Sequence, residues 1–119
     1  MFIISKIGKI FLEFFKKPQR EPRMYVIVRR DLSETYRMVQ GAHALAQYAM
    51  DNRLKFEKWN NEYLIYLSVF NLLELENLYA KLLGNRKICS CFKEPDLYGH
   101  MTAIALYDTG EILNHLPLA

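Results

Sequence analysis

Apolar and polar positions along this chain fall into blocks that switch between helical and strand periods. Residues 2–17, FIISKIGKIFLEFFKK, put Ile3, Ile4, Ile7, Ile10, Phe11, Phe14 and Phe15 on one helical face and Lys6, Lys9, Glu13, Lys16 and Lys17 on the other. Residues 18–22, PQREP, read as a linker. Met24–Val28 is a continuous apolar run of strand length. Arg29, Arg30 and Asp31 follow, and a helical pattern then runs to about Asn52. Asp31 and Glu34 stand three apart, a capping-box signature that predicts the helix start. Met38, Ala42, Leu45, Ala46 and Ala49 form the stripe expected to face a sheet. Gln40, His43 and Gln47 share another face, with Arg37 one turn earlier on that side.

The second half repeats the alternation. Asn52–Asn61 is polar, with a short helical turn around Phe56 and Trp59. Glu62–Val69 is rich in aromatic and branched residues and predicts a second strand. Asn71 is placed as the N-cap of a helix over Leu72–Leu83, whose stripe is Leu72, Leu75, Leu78, Tyr79 and Leu82, and Gly84-Asn85 stops it. Arg86–Phe92 predicts a third strand, Lys93–Gly99 a polar loop, His100–Tyr107 a fourth strand and Glu111–Leu116 a final helical turn. Strands interleaved with helices predict a small α/β sandwich, three-layer-like, preceded by the amphipathic helix. Its 119 residues suffice for one core, so the division is residues 1–22, helix and linker, and 23–119, one domain.

Charge adds a direction. The net charge is +3, but residues 1–37 hold nine basic residues against four acidic ones. Such a front end suits an anionic partner, nucleic acid or a membrane surface, or is a solvated basic tail. The first helix is too short and too charged to span a bilayer and lacks the apolar core of a signal peptide. It lies on a membrane, docks on protein or pairs with a second copy, with packing against protein preferred. Cys89 and Cys91 fall on one face of a strand with no third cysteine to build a metal site. Free thiols in a reducing cytoplasm are expected.

The chain carries no phosphate-loop, dinucleotide or zinc-protease motif, and its histidines at 43, 100 and 115 lie too far apart to suggest a metal cluster. No cofactor or metal is expected. What remains is a polar set at the strand ends: Asp31 after the first strand, Gln40 and His43 on the helix, Glu94 and Asp96 before the last strand, and Thr102 on it. Each has a plainer reading. Asp31 caps a helix, His43 packs, Gln40 and Thr102 satisfy buried backbone, and Arg29 and Arg30 are solvated.

Arg30-Asp31-Leu32, then Gln40-Gly41-Ala42-His43-Ala44, then His100–Leu106 resemble, in order and spacing, the type II (archaeal and eukaryotic) peptidyl-tRNA hydrolases. The resemblance covers roughly residues 25–116. It implies a four-stranded mixed sheet flanked by helices, a homodimer, and cleavage of the ester between a peptide or aminoacyl group and tRNA, in translation. Water attacks that ester, so the site must orient water, stabilise an oxyanion and hold phosphates; no covalent nucleophile is needed. On that basis Asp31, Arg37, Gln40, His43, Thr102 and Asp96 are the expected catalytic set, and Arg29, Arg30 and Glu94 the expected tRNA-binding set. The chain departs from the family in two places. Ser33–Arg37 replaces a Gly-Lys-Gly loop, leaving Arg37 as the nearest cation, and Lys93–Asp96 replaces an Asp-Ala-Gly-Arg-Thr segment. A fixed arginine fork is not equivalent to a lysine point charge. Two alternatives therefore stand beside the hydrolase: an inactive tRNA- or protein-binding module of the same fold, and a membrane-surface adaptor.

Overall fold

A computed structural model of the chain describes residues 20–119. The expected N-terminal amphipathic helix, residues 2–17, lies outside the described residues. Four strands form one sheet: β1 (Arg23–Arg29), β2 (Leu64–Val69), β3 (Ser90–Glu94) and β4 (His100–Asp108), in the spatial order β2-β1-β4-β3. β1 runs parallel to β2 and antiparallel to β4, and β3 runs antiparallel to β4. The sheet is therefore mixed. Three helices accompany it: α1 (Glu34–Asp51), α2 (Arg53–Trp59) and α3 (Leu72–Gly84).

The apolar run of β1 explains its central place. Met24 to Val28 are all buried, so both faces of this strand are covered. Opposite residues on paired strands share a face. Val26 pairs with Tyr66 and with Ala105, and the ring of Tyr66 lies against Gly41 of α1. Ser90, which pairs with Ala105, bonds Asp51 at the end of α1. Cys91, the next residue, faces the other way and lies beside Tyr79 of α3. α1 and α3 thus cover opposite faces of the sheet.

Local chemistry sets the element ends, with three corrections to the sequence expectations. Asp31 does not cap α1. Ser33 does, its hydroxyl accepting the Tyr36 amide at 3.3 Å. The fully buried side of α1 is Gln40, Gly41, Ala44 and Tyr48; of the expected stripe Leu45 packs against the core, while Met38 is 56% exposed. Gly41 and Ala44 let the helix approach the sheet closely, and side-chain hydrogen bonds make up for burying Gln40. The third strand begins at Ser90 rather than Arg86. Arg86 takes a left-handed turn (φ 58°) while its amide bonds Leu83 and that of Lys87 bonds Leu82, the Schellman way out of a helix. The expected cap at Asn71 is present, its side chain accepting the Glu74 amide at 3.0 Å.

After β4 the chain makes a short turn (Glu111–Leu113) and returns along β2. Leu118 bridges Leu67, with the Ser68 amide on the Pro117 carbonyl at 3.0 Å and the Ala119 amide on that of Tyr66 at 3.0 Å. These bonds occupy the outer edge of β2. No helix among the described residues is long and apolar enough to cross a membrane.

Candidate functional site

One irregularity of the sheet positions the site. β3 advances one residue from Phe92 to Lys93, while β4 advances two, from Ala103 to Met101. Thr102 is the extra residue of a β-bulge, which re-aims a side chain. In a regular strand Thr102 and Ala103 would face opposite ways. Here Ala103 pairs with Val28 on the α1 face, and Thr102 reaches the same helix.

Thr102 donates its hydroxyl proton to Oε1 of Gln40 at 2.5 Å, and both residues are fully buried. The Phe92 carbonyl, at 3.4 Å, is a weaker second acceptor. Nε2 of Gln40 then donates to Oε1 of Glu94 at 3.3 Å, and the Tyr36 hydroxyl donates to the same oxygen at 3.3 Å. The result is a row from the interior to a half-buried carboxylate: Thr102, Gln40, Glu94, with Tyr36 beside it. Partial burial raises the Tyr36 phenol above its usual range, and the negative charges of Glu94 and Asp96 add to the effect. A carboxylate held this way is an acceptor for the proton of a bound water.

The other expected residues are distributed around this row. His43 is exposed and stacks on Phe92, ring centroids 4.5 Å apart and planes 11° from parallel. Asp96 sits exposed in the turn Pro95–Leu97 and touches the row only through its charge. Asp31 is held by Arg29 through two bonds, Nε to Oδ1 at 3.0 Å and Nη2 to Oδ2 at 2.8 Å. The Arg29 hydrogen bond, ahead of its plain charge, brings the Asp31 carboxyl below its usual range. The third arm of Arg29 donates to the Met101 carbonyl at 3.1 Å, so this guanidinium is pinned between the end of β1 and β4. Arg37 borders a cavity of about 90 Å3 with Val28, Met38 and Tyr66, and its buried Nε has no hydrogen-bond partner among the described residues. Arg30 is exposed, with its guanidinium over the Phe70 ring.

The structure thus joins Gln40, Thr102 and Glu94, keeps His43 and Asp96 at the margin, and ties Asp31 to Arg29 instead. Tyr36 was not among the expected residues. Its signal was available, because it stands four before Gln40 and so shares that helix face. Among the described residues no group of three or more His, Cys, Asp or Glu side chains is placed to hold a metal ion.

No family model matches this chain, and no curated protein matches it in sequence. Among solved structures it is similar to a protein of unknown function, Atu0240, from Agrobacterium tumefaciens strain C58. The identity is 12%, the match covers 83% of this chain and 98% of that one, and the TM-score is 0.64. At that identity the likeness is one of fold.

Proposed function

We propose that this chain hydrolyses the ester joining a peptide or aminoacyl group to tRNA. The observation that carries the reading is the hydrogen-bonded row from Thr102 through Gln40 to Glu94. Gln40 and Thr102 belong to the segments that resemble the peptidyl-tRNA hydrolases, and the row ends on a carboxylate that water can reach. Glu94 takes the proton of a water held against it. That water's oxygen bonds to the ester carbonyl carbon, the carbon–oxygen bond to the ribose breaks, and the proton passes to the leaving ribose oxygen. Gln40, clamped at its other end by Thr102, keeps the Glu94 carboxylate oriented. A positioned base of this kind contributes about 10²–10⁴-fold in rate.

The binding-module alternative has its own support. No ion pair among the described residues involves Glu94, the fork of Arg29 is taken up by Asp31, and Arg37 makes no hydrogen bond to the row. Among the described residues no cation is bonded to the row, and a row without one is poorly equipped for a developing oxyanion. Release of free tRNA from purified peptidyl-tRNA separates the two. The hydrolase reading expects turnover by the parent and its loss in Glu94→Gln with tRNA binding kept. Binding without turnover by the parent assigns the module instead.

A further inference from the structure

At the carboxyl ends of the two parallel strands the chain leaves the sheet in opposite directions. β1 leads into α1 on one face, and β2 leads into α3 on the other. The crevice between two such departures is where open α/β sheets accept ligands. Here it opens into a cleft of about 380 Å3, walled by Arg30 after β1, Phe70 after β2, Asn77 and Lys81 of α3, and His115 of the C-terminal segment.

Arg30 is held in place there. Its Nε donates to the hydroxyl of Ser68 at 3.1 Å, and Ser68 is itself buried. Its guanidinium carbon lies 4.8 Å from the centre of the Phe70 ring. The two restraints fix the plane of the fork and leave both terminal nitrogens for a ligand. Phe70 is 62% exposed. The carboxylate of the cleft, Glu74, is already engaged, accepting the Phe70 amide at 2.8 Å. Neither Arg30 nor Lys81 has a carboxylate within 4.0 Å among the described residues. A planar fork and a point charge lining one cleft match a phosphate group. A neighbouring aromatic ring matches the base carried beside it.

We propose that this cleft binds a phosphate group carried by a nucleotide or by an RNA strand, with Arg30 and Lys81 as its cations and Phe70 as apolar surface for the attached base. The Thr102–Gln40–Glu94 row uses none of these residues, so the inference stands whether or not the chain is a hydrolase.

Amide NMR spectra of the full chain, titrated separately with adenosine monophosphate, adenosine, inorganic phosphate and a short single-stranded RNA, test it. Adenosine monophosphate or RNA should shift the amides of Arg30, Phe70 and Lys81 saturably, and adenosine should not. Arg30→Gln and Lys81→Ala should each weaken binding by roughly tenfold, as loss of one charge-assisted hydrogen bond gives. The unchanged remainder of their spectra reports that they fold. Arg30→Gln keeps a polar side chain for Ser68 while removing the charge. Saturation by the mononucleotide and by phosphate assigns a nucleotide ligand, and saturation by RNA alone assigns a strand; both support the site. Equal binding of adenosine, no saturable shift with any probe, or unchanged affinity in both variants overturns it.

Discussion

Thr102 and Gln40, 62 positions apart in sequence, share a buried hydrogen bond of 2.5 Å that the bulge in β4 makes geometrically available. Thr102→Val keeps the shape and removes the donor, leaving the Gln40 carbonyl oxygen buried without it. An unsatisfied buried group of this kind costs about 1–3 kcal/mol. Urea unfolding should show that loss, and Thr102→Ser should recover most of it. A Val variant as stable as the parent would mean the bond contributes nothing net.

Two glycines should respond to alanine in opposite senses. A Cβ on Gly41 would lie 2.5 Å from a ring carbon of Tyr66, whereas one on Gly84 meets nothing within 4 Å. Gly41→Ala should destabilise by about 1–3 kcal/mol through overpacking. Gly84→Ala should stabilise by about 0.5–1 kcal/mol because Gly84 is helical and unobstructed. Pairing Gly41→Ala with Tyr66→Leu should recover part of the loss, which a double-mutant cycle would measure.

The two residues at the entry of α1 are separable. Ser33→Ala removes the cap and should cost about 1 kcal/mol at neutral pH. Asp31→Asn should act mainly on the acid limb. Its carboxyl is held below the usual range, chiefly by the Arg29 hydrogen bond. The stability it contributes is therefore present above the ordinary carboxylate range and lost as pH falls through the folded value. Denaturation midpoints measured against pH should flatten on the acid side in Asp31→Asn. An unaltered acid limb would show that the Arg29 pair does not outlast folding in solution.

At high pH the sign reverses in form but the outcome is again loss. Burial, then the neighbouring Cys91, pushes the Tyr79 phenol up to about 12, and burial, then Cys91, pushes the Cys89 thiol up to about 11. Raised folded values give stability that is complete below the ordinary thiol and phenol values and disappears as pH rises through about 11 to about 12. Tyr79→Phe should shift the alkaline unfolding midpoint upward, and Cys89→Ala should shallow its onset.

The Tyr36–Glu94 contact can be read without any substrate. Glu94→Gln removes a negative charge from beside the phenol. Ultraviolet titration should then find the Tyr36 ionisation moved down toward the ordinary value but not fully onto it, because partial burial is the larger cause. An unmoved ionisation would place Glu94 away from Tyr36 in solution.

Much of this fold was legible because apolar pattern and strand burial coincide. Met24–Val28, Glu62–Val69 and His100–Tyr107 found β1, β2 and β4, and the Asn71 cap and leucine stripe found α3. The face of α1 was misread for a physical reason. Residue type marks Met38 as a core residue and Gln40 as a surface one, but closeness of approach decided the matter. Gly41 admits the Tyr66 ring, and Gln40 is buried because Thr102 and Glu94 satisfy its amide. The candidate site was half visible. Gln40, Thr102 and Glu94 were chosen from residue type and position, yet nothing in His100–Leu106 announces an extra residue. The separation of Asp31 from the row depended on Arg29, whose geometry no local spacing encodes.

The bulge has a further consequence, for changes of length. On the side of β4 before Thr102, Met101 borders a groove with Tyr79, Ala80 and Leu83 of α3; on the side after it, Ala103 and Ala105 lie under α1. The two ends of the strand are one step out of phase, and a single residue holds them so. Removing it would make Met101 and Ala103 neighbours, which in a plain ladder face opposite ways as these two already do, so both ends would keep their layers and the bond to Gln40 would be lost. A deletion at Thr102 is thus absorbed locally, while a one-residue insertion or deletion elsewhere in β4 would turn one end of the strand to the wrong layer.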